Sequence, residues 1–220
     1  MTSPELAPQR VRAVVFDLDG TLVDSFDAIA AALNHARTAV GLTALEPAEI
    51  RRHVGRGLER LVRDLVDARD VDAAAARFRE HYARVYLAST RALPGADATL
   101  RKLRARGLRV GVASNKPARF SGPILDHLGL GRWVEDLQGP DTAGAPKPDP
   151  AMLRRSMGAL GVAADELLYV GDMALDLETA SEAGTAVVLV ELGSADPEGL
   201  GTLRQGVLPD LAALPPLLGC

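Results

Sequence analysis

Cysteine is nearly absent from this chain of 220 residues: the one present, Cys220, is the last residue. No internal disulfide can form, and no cysteine-based metal site has enough ligands. Aromatic residues are scarce, at 4%. Every apolar stretch falls well short of the roughly 20 residues that a membrane-spanning helix requires. The net charge is only −4, from 25 basic and 29 acidic side chains, and offers no field for gripping nucleic acid or an anionic membrane. The opening run Met1-Thr2-Ser3-Pro4-Glu5-Leu6-Ala7-Pro8 has neither the basic region nor the apolar stretch of a signal peptide. The expectation is a cytoplasmic protein, monomer or homodimer, with no nucleic-acid or membrane partner. Lysine is the last scarcity: only Lys102, Lys116 and Lys147 stand against 22 arginines. In an Arg- and Ala-rich chain, a lysine is expected where a guanidinium cannot serve.

What is present suits a folded globular chain. Hydrophobic residues make up 47% and charged residues 25%, and a chain this long can bury roughly 70% of its unfolded surface. The β-branched run Val11–Phe16 predicts a strand buried on both faces, ending on the acid-rich turn Asp17-Leu18-Asp19-Gly20-Thr21. Helices follow without a strand between them. Asp24 or Ser25 caps the first, with Phe26, Ile29, Leu33, Ala36 and Val40 on one face and Gly41 ending it. A second starts at Pro47, Gly57 opens a third, and a fourth spans 72–88 with Phe78, Tyr82, Val85 and Tyr86 as its stripe. After Pro94-Gly95 strands and helices alternate. Strands are expected at 108–113, near 133–137, at 167–170 and at 186–190. That alternation predicts an α/β fold: a Rossmann-like parallel sheet with a helical cap domain inserted after the first strand. The expected core is discontinuous, residues 1–24 and 91–220, around a helical cap at 25–90.

Open parallel sheets bind ligands at the carboxyl ends of their strands. The first strand delivers Asp17 and Asp19 there, and the second delivers Ser114, Asn115 and Lys116. The loop beyond the third carries Lys147-Pro148-Asp149-Pro150, and the fourth delivers Gly171-Asp172, with Asp176 a helical turn on. Two acids directly after a buried strand are costly unless a cation compensates them.

These four motifs in this order resemble those of the haloacid dehalogenase-like superfamily, over nearly the whole chain. Within it, Val54–Val62 and Ala113-Ser114-Asn115-Lys116-Pro117 are most similar to phosphoglycolate phosphatases. The resemblance implies a Mg²⁺-dependent phosphatase of small phosphate monoesters, with 2-phosphoglycolate the foremost substrate. Relatives sharing the motifs include sugar-phosphate phosphatases, β-phosphoglucomutases and pyrophosphatases; a catalytically silent phosphate-binding protein is the alternative of a different class.

The physical reading agrees. A carboxylate attacking a phosphate monoester meets like-charge repulsion of about 4 kcal/mol per charge pair at about 4 Å and an effective dielectric of 20, which a hard dication removes. Asp17 and Asp172 supply oxygen ligands, and by the resemblance the backbone carbonyl of Asp19 adds a third. Asp17 is the nucleophile, forming an aspartyl-phosphate, and Asp19 is the general acid and base, in surroundings less cationic than those of Asp17. Ser114, Asn115 and Lys147 hold the phosphate; Asp176, Thr21 and Lys116 support. Asp19, where dehalogenases carry a tyrosine, supplies the acid for an alkoxide leaving group. The absence of lysine from 25–90 excludes a cap Schiff base. A response-regulator receiver would lack the helical insert. In that insert Gly55-Arg56-Gly57 reads either as a helix–helix turn with a solvated Arg or as a loop over the site, with Arg51, Arg52 and Arg56 as cations able to pair with a substrate carboxylate.

Overall fold

Strand β1 (Ala13–Phe16) is buried on both faces, in a computed structural model that describes residues 6–194 and 206–220. Val14 and Phe16 enter one hydrophobic cluster, Ala13 and Val15 another. That division explains why the run reads as continuously apolar rather than alternating. β4 (Arg109–Ala113), β5 (Asp136–Gln138), β6 (Leu167–Gly171), β7 (Ala186–Val190) and β8 (Val207–Leu208) join it in one sheet. The strand order is β5-β4-β1-β6-β7-β8, with every pairing parallel. Helices cover both faces: α5 (Ala96–Ala105) and α6 (Ala118–His127) pack on the first cluster, α8 (Ala151–Leu160) and α9 (Ala174–Ala183) on the second.

Between β1 and β4 the chain leaves the sheet. A two-residue strand, β2 (Val23–Asp24), pairs antiparallel with β3 (Arg91–Ala92). Between them lie α1 (Phe26–Ala39), α2 (Pro47–Arg51), α3 (Leu58–Leu65) and α4 (Val71–Val85), with a hydrophobic cluster of their own. Leu33 of α1 is fully buried in it, and its truncation to Ala would cost about 2–5 kcal/mol. The fold is an α/β sheet with a helical unit inserted after the first strand.

Of the two capping candidates before α1, Asp24 does the capping: its Oδ1 accepts the Phe26 N–H at 3.1 Å. Other details differ from the sequence reading. The strand expected near 133–137 starts at Asp136, because Gly131–Trp133 form a 3-10 turn whose indole N–H donates to Asp97 at 2.9 Å. Edge strand β8, the short helix α7 (Pro140–Ala143) and the C-terminal turn Leu214–Leu217 were not anticipated. The portions of the expected core range at 1–5 and 195–205 lie outside the described residues.

Candidate active site

Asp17, Ser114 and Asp172 each follow a strand of the same parallel sheet, β1, β4 and β6 respectively, so all three reach one edge. β1 lies between the other two, which is where the strand order reverses and where such sheets open a crevice.

Asp17 is 4% exposed. Its Oδ2 lies 3.0 Å from Lys147 Nζ, while its buried Oδ1 has no hydrogen-bond partner among the described residues. Burial pushes the carboxyl up to about 6, Lys147 draws it back and Asp176 adds to the rise. Lys147 Nζ also lies 2.7 Å from Asp176 Oδ1 and donates to the Tyr169 hydroxyl at 3.1 Å. Burial disfavours this ammonium, but Asp17 and Asp176 more than offset it and hold its pKa above the usual lysine value. Asp176 opens α9, where its Oδ2 accepts the N–H groups of Asp172 at 3.1 Å and Met173 at 3.0 Å. Both its oxygens are therefore committed to protein donors.

Asp172 is fully buried and accepts the Thr21 hydroxyl at 2.9 Å on Oδ1. Burial first, then Asp176 and Asp17, raise its pKa well above the usual carboxylate range. Gly20 makes the approach possible: its φ is +85°, and a Cβ there would collide with Asp172 Oδ2. Carboxylate oxygens of Asp17, Asp172 and Asp176 all lie within 4.8 Å of one another. Among the described residues, three buried acids cluster around one ammonium, with Asp17 Oδ1 accepting no close hydrogen bond. An all-oxygen donor set of this kind suits a hard divalent cation. The third carboxylate of the cluster is Asp176; the sequence reading had Asp19 contribute a backbone carbonyl, which is not part of this carboxylate set.

The Asp19 side chain turns elsewhere. Its Oδ1 lies 2.5 Å from Lys116 Nζ and accepts the Ser25 hydroxyl, also at 2.5 Å. Asp19 thus has a buried lysine of its own, a cation beside it that the sequence reading did not anticipate, while Asp17 shares Lys147 with Asp176. Burial opposes the Lys116 charge, but Asp19 holds its pKa above the usual lysine value. Ser114 is buried, and its hydroxyl accepts the Lys116 N–H at 3.3 Å.

Asn115 was expected beside the phosphate, and for its side chain that is corrected. Oδ1 accepts the Lys147 N–H at 2.7 Å, and Nδ2 donates to the Gly55 carbonyl at 3.0 Å. The amide braces the lysine loop against the helical insert. Arg51 is likewise not a substrate cation. It donates to the Gly193 carbonyl at 2.8 Å and lies over the Phe26 ring, 3.9 Å from its centroid.

A cavity of about 510 Å³ joins the sheet edge to the helical insert. Asp17, Asp19 and Ser114 line one side, and Gly55, Arg56 and Gly57 the other. Arg60, Arg79 and Arg119 also line it, but each has a carboxylate partner. Arg56 and Arg63 line it without an ion pair among the described residues. Tyr169, Ser25 and Tyr82 escaped the sequence reading as site residues. Only Tyr169 left a signal, a polar handle in an otherwise aliphatic strand.

This edge defines a class: a parallel α/β sheet protein whose acids and lysines face an inserted helical unit. The family model of haloacid dehalogenase-like hydrolases matches residues 14–190, and the chain belongs to that family. It is 42% identical to a phosphoglycolate phosphatase of Rhodospirillum rubrum, over 94% of this chain and 91% of that one. It is 39% identical to a plasmid-borne phosphoglycolate phosphatase of Cupriavidus necator, over 94% and 92%. A crystal structure of a predicted phosphoglycolate phosphatase from Haemophilus somnus superposes with a TM-score of 0.86 at 25% identity, covering 94% of this chain and 98% of that one. No helix among the described residues is long and apolar enough to cross a membrane.

Proposed function

We propose that this hydrolase is a cytoplasmic, Mg²⁺-dependent phosphatase of small phosphate monoesters that acts through a phosphorylated Asp17 and favours 2-phosphoglycolate. The observation that carries the reading is the pair Asp17 and Asp19, each held on a buried lysine at one wall of the cavity. The two curated relatives above, both named phosphoglycolate phosphatase, support it.

Asp17 and Asp172 would hold the metal through carboxylate oxygens and Asp19 through its backbone carbonyl; Asp176 is left to orient Lys147. When bound, the metal neutralises phosphate charge and lowers the repulsion met by an incoming carboxylate. Asp17 attacks phosphorus, the ester P–O bond breaks, and Asp19 delivers its proton to the departing alkoxide. A water then attacks the aspartyl-phosphate and gives its proton to Asp19, releasing phosphate and restoring Asp17. Ser114 donates a hydrogen bond to a phosphate oxygen, and the Lys147 ammonium spans phosphate and Asp17. Thr21 fixes Asp172, and Lys116 fixes Asp19. Residues 25–90 act as the cap over a core of 1–24 and 91–220, with Gly55 and Gly57 setting the loop that carries Arg56. A guanidinium fork suits the carboxylate that distinguishes phosphoglycolate from a neutral ester.

One observation favours a second reading. A cavity of about 510 Å³ exceeds what a two-carbon ester fills, so a sugar phosphate also fits. A panel of kcat/KM values with Mg²⁺ decides between them. The reading expects 2-phosphoglycolate to lead hexose phosphates, pyrophosphate and mononucleotides, and Arg56→Ala to erode that lead. Leadership by a hexose phosphate, unaffected by Arg56→Ala, selects the sugar-phosphate reading.

A further inference from the structure

Tyr82 of α4 is 3% exposed and lines the cavity; its hydroxyl makes no close hydrogen bond among the described residues, and Lys116 is the charged group that acts on it. Its ring sits in an aromatic box, with centroids 5.5 Å from Phe78, 5.5 Å from Tyr86 and 5.3 Å from Phe120. Lys116 Nζ stands 5.4 Å from the ring centroid, so the phenol borders the Lys116–Asp19 pair. Packing alone does not account for tyrosine here. Phenylalanine would fill the same box without burying an oxygen whose one polar neighbour, Lys116, stands beyond a close hydrogen bond.

We propose that the Tyr82 hydroxyl donates a hydrogen bond to an oxygen on the leaving side of the substrate, the carboxylate in the case of 2-phosphoglycolate, and so helps set specificity. The assignment rests on the phosphatase reading above. Asp19 is the acid for the departing oxygen, so a group beside Asp19 and Lys116 faces the leaving group. The phosphoryl oxygens belong to Ser114 and Lys147 on the sheet side. Burial raises the phenol pKa above its usual value, which keeps the group protonated and able to donate. Arg56 is exposed while Tyr82 is buried, so the phenol reads the substrate at depth. A site built to hydrogen-bond a substrate group discriminates against an analogue lacking it, because the protein's buried polar atom is then left unpaired.

The test compares wild type with Tyr82→Phe on 2-phosphoglycolate and on ethyl phosphate, which has no carboxylate. The ratio of their kcat/KM values should fall on the order of 10- to 100-fold in Tyr82→Phe, the scale of one hydrogen bond to a charged group. The thermal midpoint should change little, since the hydroxyl makes no close hydrogen bond among the described residues. An unchanged ratio overturns the assignment, and a lowered midpoint beside it would mark the hydroxyl as structural. If wild type itself does not prefer 2-phosphoglycolate, the phosphoglycolate reading fails separately. The ratio is then taken between the polar ester that wild type prefers and ethyl phosphate. Preference for no polar ester at all overturns the Tyr82 assignment as well.

Discussion

Lys147 Nζ lies 3.0 Å from Asp17 Oδ2 inside a site where both side chains are almost fully buried. The same ammonium is 2.7 Å from Asp176, so one positive charge serves two carboxylates. A point charge with three freely directed donors fits that task, whereas a planar guanidinium does not. Lys147→Arg should therefore cut kcat by about two decades or more, the scale of a lost electrostatic stabiliser. Lys147→Met should also destabilise the fold by about 3–5 kcal/mol, because two buried acids lose their counter-ion. Lys102 is exposed on α5, and Lys102→Arg should leave kcat and melting temperature nearly unchanged. Equal effects at the two lysines would contradict this account.

Asp172 is fully buried beside Asp17 and Asp176, and burial with those two acids pushes its pKa well up. Chelation should abolish phosphatase activity and Mg²⁺ should restore it. Asp172→Asn should raise the Mg²⁺ concentration needed for half-maximal rate by about tenfold or more, since a charged oxygen ligand is lost. A metal titration of each variant reads this directly, and an unshifted midpoint would remove Asp172 from the ligand set.

His35 of α1 and His81 of α4 stack with ring centroids 4.3 Å apart. Burial, His35 and Arg84 lower the His81 pKa, with Glu80 opposing them. A histidine whose pKa is lowered on folding stabilises the fold above its unfolded value of 6.5, and loses that contribution as pH falls. Wild type should thus lose thermal stability between about pH 7 and pH 5 more steeply than His81→Gln. Parallel profiles would show that the stacked pair carries no charge conflict.

Gly55 has φ +109°, and a Cβ there would meet the Met173 sulfur. Its carbonyl also receives Asn115, so the cap loop is held against the core at this residue. Gly55→Ala should raise KM for the preferred substrate severalfold. Gly41→Ala, at φ +81° with open space around it, should cost only about 1 kcal/mol of stability. Comparing KM and melting temperature in the two variants separates loop placement from general backbone strain.

The strand cores were legible because a doubly covered parallel strand must be apolar throughout, as Ala13–Phe16 and Leu167–Val170 are. The acids were legible for the same reason, since Asp17 and Asp172 each follow such a run directly. Lysine scarcity also carried information: Lys116 and Lys147 are buried on motif acids, and Lys102 is exposed. Partnerships across long sequence separations were not legible. Nothing local to Asn115 says that its amide spans Lys147 and Gly55, or that Ser25 reaches back to Asp19. Tyr82 read as one more member of a helix stripe, because periodicity reports which face is buried and not what its hydroxyl meets. The two-residue strand β8 is too short to leave a pattern.

Asp17→Asn should lose at least about three decades of kcat, as removal of a nucleophile does. The most direct measurement, however, is of the covalent intermediate itself. Wild-type protein turning over its preferred phosphate ester with Mg²⁺ is quenched in acid, and the phosphorylated residue is located by borohydride reduction and mass spectrometry. The account predicts a single acid-stable phosphoryl group on Asp17, absent from Asp17→Asn. Full turnover by Asp17→Asn, or label residing on Asp19 or any other residue, would contradict it.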